Sequence, residues 1–202
     1  MARKKTITSN RQEARETRRR RERQQKLLKW GGLGLLALLI AGAVIWFSTR
    51  PVTAMGEGVT VTARNHVPEG TRAGPFQTNP PTGGNHYAGT FQKGFYDESR
   101  LESLPESHEG YLVHNLEHGY VIFWYNCAAD PDLNCDELKQ TIRDVMDTAG
   151  TDEVIAFPWS EQEEPLVMTS WERIMRFDTL DTEAMRQFVK LYHNKSPEPT
   201  AN

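Results

Sequence analysis

Apolar residues are spaced in three different ways along this chain. From Trp30 to Phe47 they are nearly continuous and uncharged. With Leu27 and Leu28 the run reaches about twenty residues, enough to cross roughly 30 Å of hydrocarbon as a helix. Trp30 at one end and Trp46-Phe47 at the other match an interfacial aromatic belt. The run predicts a transmembrane helix over 30–49. Arg50-Pro51 ends it, because proline cannot continue a helix, and residues 50–57 read as a linker. Gly58 to Arg64 then alternates Val59, Val61 and Ala63 with Thr60 and Thr62, the spacing of a half-buried strand. Residues 65–110 are rich in Pro and Gly and show little periodicity. Long loops of this kind inside a compact domain are usually functional. Tyr120 to Asn126 is β-branched or aromatic at nearly every position, which predicts a central strand covered on both faces. Val154–Trp159 and Leu166–Trp171 read as two further strands, joined through the acidic turn Ser160–Glu164 and Pro165.

Helical spacing occurs twice. Asp136 to Thr148 carries the stripe Leu138, Ile142, Val145 and Met146, and Gly150 stops it. Asp181 can cap a last helix with the stripe Ala184, Met185, Phe188, Val189 and Tyr192. Residues 196–202 contain two prolines and no pattern, and are expected to be a disordered tail. The expected fold class is therefore α+β. An N-terminal transmembrane helix leads into one domain over 58–195, with a mixed β-sheet packed by helices and a loop-rich first half.

Charge changes the picture at the N-terminus. Residues 1–29 hold twelve Lys/Arg and three Glu, a charge of +9, densest at Arg18-Arg19-Arg20-Arg21. The positive-inside rule places this tail in the cytoplasm and the domain outside the membrane. A nucleic-acid role for the tract is the rival reading, but a basic flank beside a membrane span already has a sufficient cause. The expected partners are the bilayer, through residues 30–49, and other subunits of a membrane complex, with no nucleic acid. A cleaved signal peptide is the alternative for the span, with Val52-Thr53-Ala54 as its cleavage site; the long basic lead argues against it. Residues 30–202 keep 12 of the 24 basic and 24 of the 27 acidic residues, so the remainder is near −12. That argues against nucleic acid or anionic lipid as its partner and is compatible with cations or basic proteins.

Cys127 and Cys135 flank a turn-rich segment, and outside the membrane a disulfide is their expected state. Metal ligation by the pair is the alternative. Four of the six histidines, His66, His86, His114 and His118, fall together with Glu117 in about fifty residues. Imidazole and carboxylate bind transition metals or move protons near neutral pH. If Leu112–Gly119 is helical, His114 and His118 stack one turn apart. If it is extended they still share a face, and Glu117 points the other way. Both conformations stay open, and in both the two histidines can hold one ion. The order His-x-x-Glu-His also matches the inverted zinc-peptidase motif, although Gly119 and a strand follow at once. His108 and His193 are expected to be solvated, and Tyr87, Tyr96 and Tyr111 to be core or rim aromatics.

Asn-Pro-Pro-Thr-Gly-Gly-Asn-His-Tyr (79–87), Val-His-Asn-Leu-Glu-His-Gly-Tyr-Val (113–121), Tyr-Asn-Cys (125–127) and Thr-Ser-Trp (169–171) resemble the bacterial family called domain of unknown function 3105. The likeness covers roughly 58–195. The family's signature positions fall on Pro80, Pro81, Thr82, Gly83, His86, His114, Asn115, Glu117, His118 and Gly119. Where the family often has Ser-Gly-Pro-His, this chain has Gly83-Gly84-Asn85-His86. The resemblance implies the same plan of basic N-terminus, single span in the bacterial cytoplasmic membrane and outer domain; it implies no activity. The order of elements is also similar to the second half of a thioredoxin fold, but the Cys-x-x-Cys of that fold is absent.

Three functions follow as expectations. The first is a membrane-anchored, extracytoplasmic domain binding copper or zinc through His86, His114 and His118, with His66 or Glu117 completing the site. The second is a structural accessory subunit of a larger membrane assembly. The third is a metal-dependent hydrolase with Glu117 as general base. The lack of a nucleophile motif leans away from an enzyme, and no organic cofactor is expected.

Overall fold

The computed structural model describes residues 20, 30–32, 39–42 and 54–200. The chain divides into two units, Met1–Thr53 and Ala54–Asn202. In the first, the described residues are helical. Among the described residues, no helix is long and apolar enough to cross a membrane. The span expected over 30–49 and the basic tail fall largely outside the described residues.

The second unit is an α+β domain built on a six-stranded mixed sheet. Its strands are β1 (Glu57–Gly58), β2 (Gly94–Phe95), β3 (Val121–Tyr125), β4 (Val154–Pro158), β5 (Leu166–Ser170) and β6 (Arg173–Phe177). Their spatial order is β1-β6-β5-β3-β4-β2. β3 and β4 run parallel, as do β4 and β2, while β5 and β6 pair antiparallel. Three helices cover the sheet: α1 (His108–Glu117), α2 (Cys135–Thr148) and α3 (Thr182–Tyr192). β3 is central, and all five of its residues are buried. That is the outcome its unbroken apolar run predicts, because a sheet with helices on both faces has no polar side.

The two faces form separate cores. Leu112, Val113 and Leu116 of α1 pack with Ile122, Trp124, Ile155, Phe157 and Val167 on one. Leu138, Ile142 and Val145 of α2 and Met185, Phe188 and Val189 of α3 pack with Val121, Phe123, Ala156 and Met168 on the other. Each fully buried large side chain contributes about 1.5–3 kcal/mol. The buried indole of Trp124 donates from Nε1 to Thr169 Oγ1 at 2.7 Å, so its burial leaves no orphan donor. α2 and α3 begin as their caps predict. Asn134 Oδ1 accepts from Glu137 N, and Asp181 Oδ1 accepts from Glu183 N and Ala184 N. Cys127 and Cys135 are joined in a disulfide with Cα atoms 5.1 Å apart, at the entry to α2.

Several expectations are corrected. The strand expected over 58–64 is only Glu57–Gly58, because its partner β6 begins at Arg173 and the chain before it turns away. Val59, Val61 and Ala63 are still half-buried and Thr60 and Thr62 exposed, so the alternation recorded one-sided burial without a ladder. β6 was not foreseen. It is joined to β5 by a two-residue hairpin at Trp171-Glu172, where Glu172 takes φ 59°. Such turns usually announce themselves with Gly or Asn, and neither is present. Residues 196–200, expected to belong to a disordered tail, instead hydrogen-bond to the end of α1; residues 201–202 lie outside the described set.

His193 is not solvated either: its Nε2 meets Glu153 and Thr151. His108 is half-buried, its ring 5.2 Å from that of Phe157 and 6.1 Å from that of Phe91. Burial pushes the His108 imidazole below its ordinary value of 6.5, against the opposing pull of Glu109 and the Leu101 carbonyl. A depressed folded value means that the unfolded chain takes the proton first. The associated stability is complete above the ordinary value and is lost as pH falls through the lowered one. Thermal unfolding followed from pH 7.5 to 5 should therefore show a declining midpoint. His108→Gln should make that decline shallower; an identical slope in the variant would assign it elsewhere.

Candidate metal centre

α1 settles the open conformation of the Leu112–Gly119 block. It is a helix, and Gly110 to Glu117 are all buried. A helix buried on every side shows no amphipathic period, so its spacing carried no helical signal. Helical geometry puts His114, Glu117 and His118 within one turn of each other and directs all three toward one place.

The other two histidines arrive from the loop-rich first half. Val67 N–H donates to His86 O at 2.8 Å and His86 N–H to Asn65 O at 3.1 Å, an isolated parallel bridge that sets His66 beside His86. The block 79–87 is held against the sheet. Thr82 O accepts from Glu172 N at 2.9 Å, and Trp159 Nε1 donates to Asn79 Oδ1 at 2.7 Å. The Asn79–Pro80 bond is cis. Gly83 (φ +151°) has no room for a side chain: a Cβ there would lie 2.6 Å from Val61 Cγ2 and 3.3 Å from the Trp171 ring. Only glycine passes this close to its neighbours in that conformation. Asn85 ties the loop by its side chain. Its Oδ1 accepts from Asn65 N at 3.0 Å and its Nδ2 donates to Gly74 O at 3.3 Å.

His66, His86, His114 and Glu117 each offer one ligand atom, and these atoms all lie within 4.8 Å of one another. His86 and Glu117 are buried, at 0% and 3% exposure, whereas the His66 side chain is 49% exposed. The site is closed beneath and open to solvent at one ligand. Glu117 Oε2 lies 2.9 Å from His86 Nε2 and 3.7 Å from His66 Nε2. A tetrahedral ion with bonds of about 2.0–2.1 Å places neighbouring ligand atoms about 3.3 Å apart, between those two separations. His118 stands beside the four, its Nε2 2.9 Å from His114 Nε2. The expected trio of His86, His114 and His118 is thus rearranged. His66 and Glu117 belong to the converging set, and His118 reaches it through His114.

The ring partners determine the proton positions. His86 Nδ1 faces Gly84 O at 2.8 Å, His114 Nδ1 faces Gly89 O at 3.2 Å, and His118 Nδ1 faces Glu198 O at 3.0 Å. Carbonyls only accept, so each Nδ1 carries a proton and donates; in the neutral ring that leaves each Nε2 as a lone pair. With the rings neutral, His86 Nε2 faces a carboxylate oxygen at 2.9 Å and His114 Nε2 faces His118 Nε2 at 2.9 Å, lone pair against lone pair. Two protons would relieve these two contacts. A divalent cation carries the same charge and meets the same lone pairs. Backbone-held Nδ1 with Nε2 turned inward is the arrangement by which proteins orient metal-ligating histidines.

Burial holds the His114 imidazole below the usual histidine range. His118, His86 and His66 push it the same way, while its bond to Gly89 O opposes. A ring kept neutral is ready to ligate. The carbonyls of Gly84, Gly89 and Glu198 left no mark in the sequence. Trp171, whose ring stands edge-on to His86 at 6.4 Å, shows in the sequence as a strand end and as part of Thr-Ser-Trp, with nothing to tie it to the histidines. Cys127 and Cys135 lie near Glu98, but their sulfurs are committed to the disulfide.

A family model described as "Protein of unknown function (DUF3105)" matches residues 66–202. No curated protein and no solved structure matches the chain.

Proposed function

The chain belongs to the DUF3105 family, and from that premise we propose that its domain holds one divalent transition-metal ion, copper or zinc, at His66, His86, His114 and Glu117. The observation that carries this reading is the convergence of His66, His86, His114 and Glu117, whose ligand atoms all lie within 4.8 Å of one another, with Nδ1 of His86 and His114 held by backbone carbonyls so that their Nε2 atoms face the site. A donor set of imidazole and carboxylate without free thiolate suits zinc or Cu(II) rather than Cu(I). The domain is anchored in the bacterial cytoplasmic membrane through residues 30–49 and faces outward. Its disulfide supports that placement, because such bonds persist in oxidising compartments. Its role there is to hold or hand on metal, alone or beside other membrane-complex subunits.

A metal-dependent hydrolase gains less support. Glu117 is buried against His86 as a member of the ligand set, which removes it from service as a free general base. A purely structural accessory subunit is the second reading, favoured by the close His86–Glu117 and His114–His118 contacts, which two protons would turn into hydrogen bonds.

Equilibrium dialysis separates the two. The detergent-solubilised full chain should take up one Zn2+ or Cu2+ with a dissociation constant below about 1 μM, and His86→Ala with His114→Ala should abolish it. Binding no tighter than about 1 mM, or binding unchanged in the double variant, leaves the structural reading in place.

A further inference from the structure

We propose that residues 194–200 form a removable strap that holds His118 in place and thereby sets how fast the site releases its ion; this deepens the metal reading and rests on it. The sequence Ser196-Pro197-Glu198-Pro199-Thr200 leaves two backbone donors after Ser196, those of Glu198 and Thr200, because proline has none. In an extended segment those alternate N–H groups face the same side. Both reach α1, whose last carbonyls have no partner inside the helix. Glu198 N–H donates to Glu117 O at 3.1 Å and Thr200 N–H to His118 O at 3.4 Å. Between them the Glu198 carbonyl accepts from His118 Nδ1 at 3.0 Å. One short strip thus closes the end of the helix and orients a ring of the site.

The attachment is light. Glu198 and Pro199 are exposed, so little apolar surface is buried. Ser196 Oγ is buried with no hydrogen-bond partner among the described residues, which penalises the docked form. The strap is also fastened at its start by Asn194 N–H to Gly119 O at 2.9 Å and at its far end by Thr200 Oγ1 to Glu153, and Asn194 Nδ2 joins the two ends by donating to Thr200 O at 3.0 Å. Lifting the segment frees His118 Nδ1 and lets the ring turn away from His114. The site loses the neighbouring His118 imidazole, while the sheet and the ligands His66, His86, His114 and Glu117 stay where they are.

The test is zinc release from the detergent-solubilised full chain to a chromophoric chelator, compared with two variants. One carries a stop in place of Ser196. The other, Glu198→Pro, removes the N–H to Glu117 O with a single substitution. Both should unfold near the wild-type temperature when metal-free and release zinc about 10- to 100-fold faster, the usual effect of losing a group that orients a ligand. In a His118→Ala background the stop should add nothing, because the strap acts through that ring. Wild-type release rates in both variants, with zinc bound, overturn the strap alone. A wild-type chain that holds no zinc overturns the metal reading, and the strap with it.

Discussion

Glu117→Gln should lose the metal binding proposed for this site while leaving the metal-free fold intact, and Glu117→Ala should lose both. The reason lies at His86, which is fully buried and donates from Nδ1 to Gly84 O. In the neutral ring its Nε2 is a lone pair aimed at Glu117 Oε2, 2.9 Å away. Glutamine keeps the shape of the side chain and offers an N–H2 to that lone pair, so the metal-free site gains a proper hydrogen bond. It also loses the negative charge that a divalent ion needs, and affinity should fall by roughly 100-fold or more, beyond the effect of losing an orienting group. Alanine removes the ligand and leaves His86 Nε2 buried without a partner, a penalty of about 1–3 kcal/mol. Titration with zinc and denaturant unfolding of the metal-free chain measure the two effects separately. A glutamine variant that binds zinc as the wild type does would remove Glu117 from the ligand set. One destabilised as much as the alanine variant would show that the metal-free site relies on the carboxylate charge.

Gly110→Val should destabilise the domain by about 3 kcal/mol or more, at the upper end of what overpacking usually costs. Gly110 lies in the first turns of α1, where the helix meets the loop that carries His86. Tyr87 N–H donates to Gly110 O at 3.2 Å, so the two backbones are in direct contact. A Cβ at 110 would fall 2.4 Å from Tyr87 Cε2 and 3.0 Å from Ala73 Cβ. Tyr87 cannot swing away freely: it is 3% exposed and its hydroxyl donates to Thr71 O at 2.7 Å. Valine adds two methyl groups beyond that Cβ. The helix must shift off the loop, which separates His114 and Glu117 from His86. Urea unfolding should show the lower midpoint, and zinc affinity should fall with it. A variant of wild-type stability would mean that the helix and loop are not packed this closely.

Legibility varied with how local the governing interaction was. β3, α2, β4, β5 and α3 were read to within a residue or two, since each has a strong period or an unbroken apolar run with a cap, turn or proline at its end. α1 was left undecided, because burial on every side erases the amphipathic stripe that identifies a helix. β6 was missed because its hairpin turns on Trp171-Glu172 without Gly or Asn. The segment after Ser196 reads as disordered, since its prolines leave no periodic pattern and its partners, the carbonyls of Glu117 and His118, lie some eighty residues away.

What the sequence determined by itself was the chemistry. It supplied three histidines and a glutamate in two compact blocks with His66 ahead of them, a pair of cysteines in a short loop, and a sheet with helices to carry them. Residue type and periodicity are local properties, and local properties can be read from neighbours in the chain. Only the tertiary structure decided that His66 stands beside His86, that Glu117 faces His86 and not solvent, and that His118 comes second to His114. It alone decided which ring nitrogens are free to bind. Those outcomes depend on the carbonyls of Gly84, Gly89 and Glu198. Every residue carries a carbonyl, so no sequence pattern marks these three, and folding alone brings them to the rings.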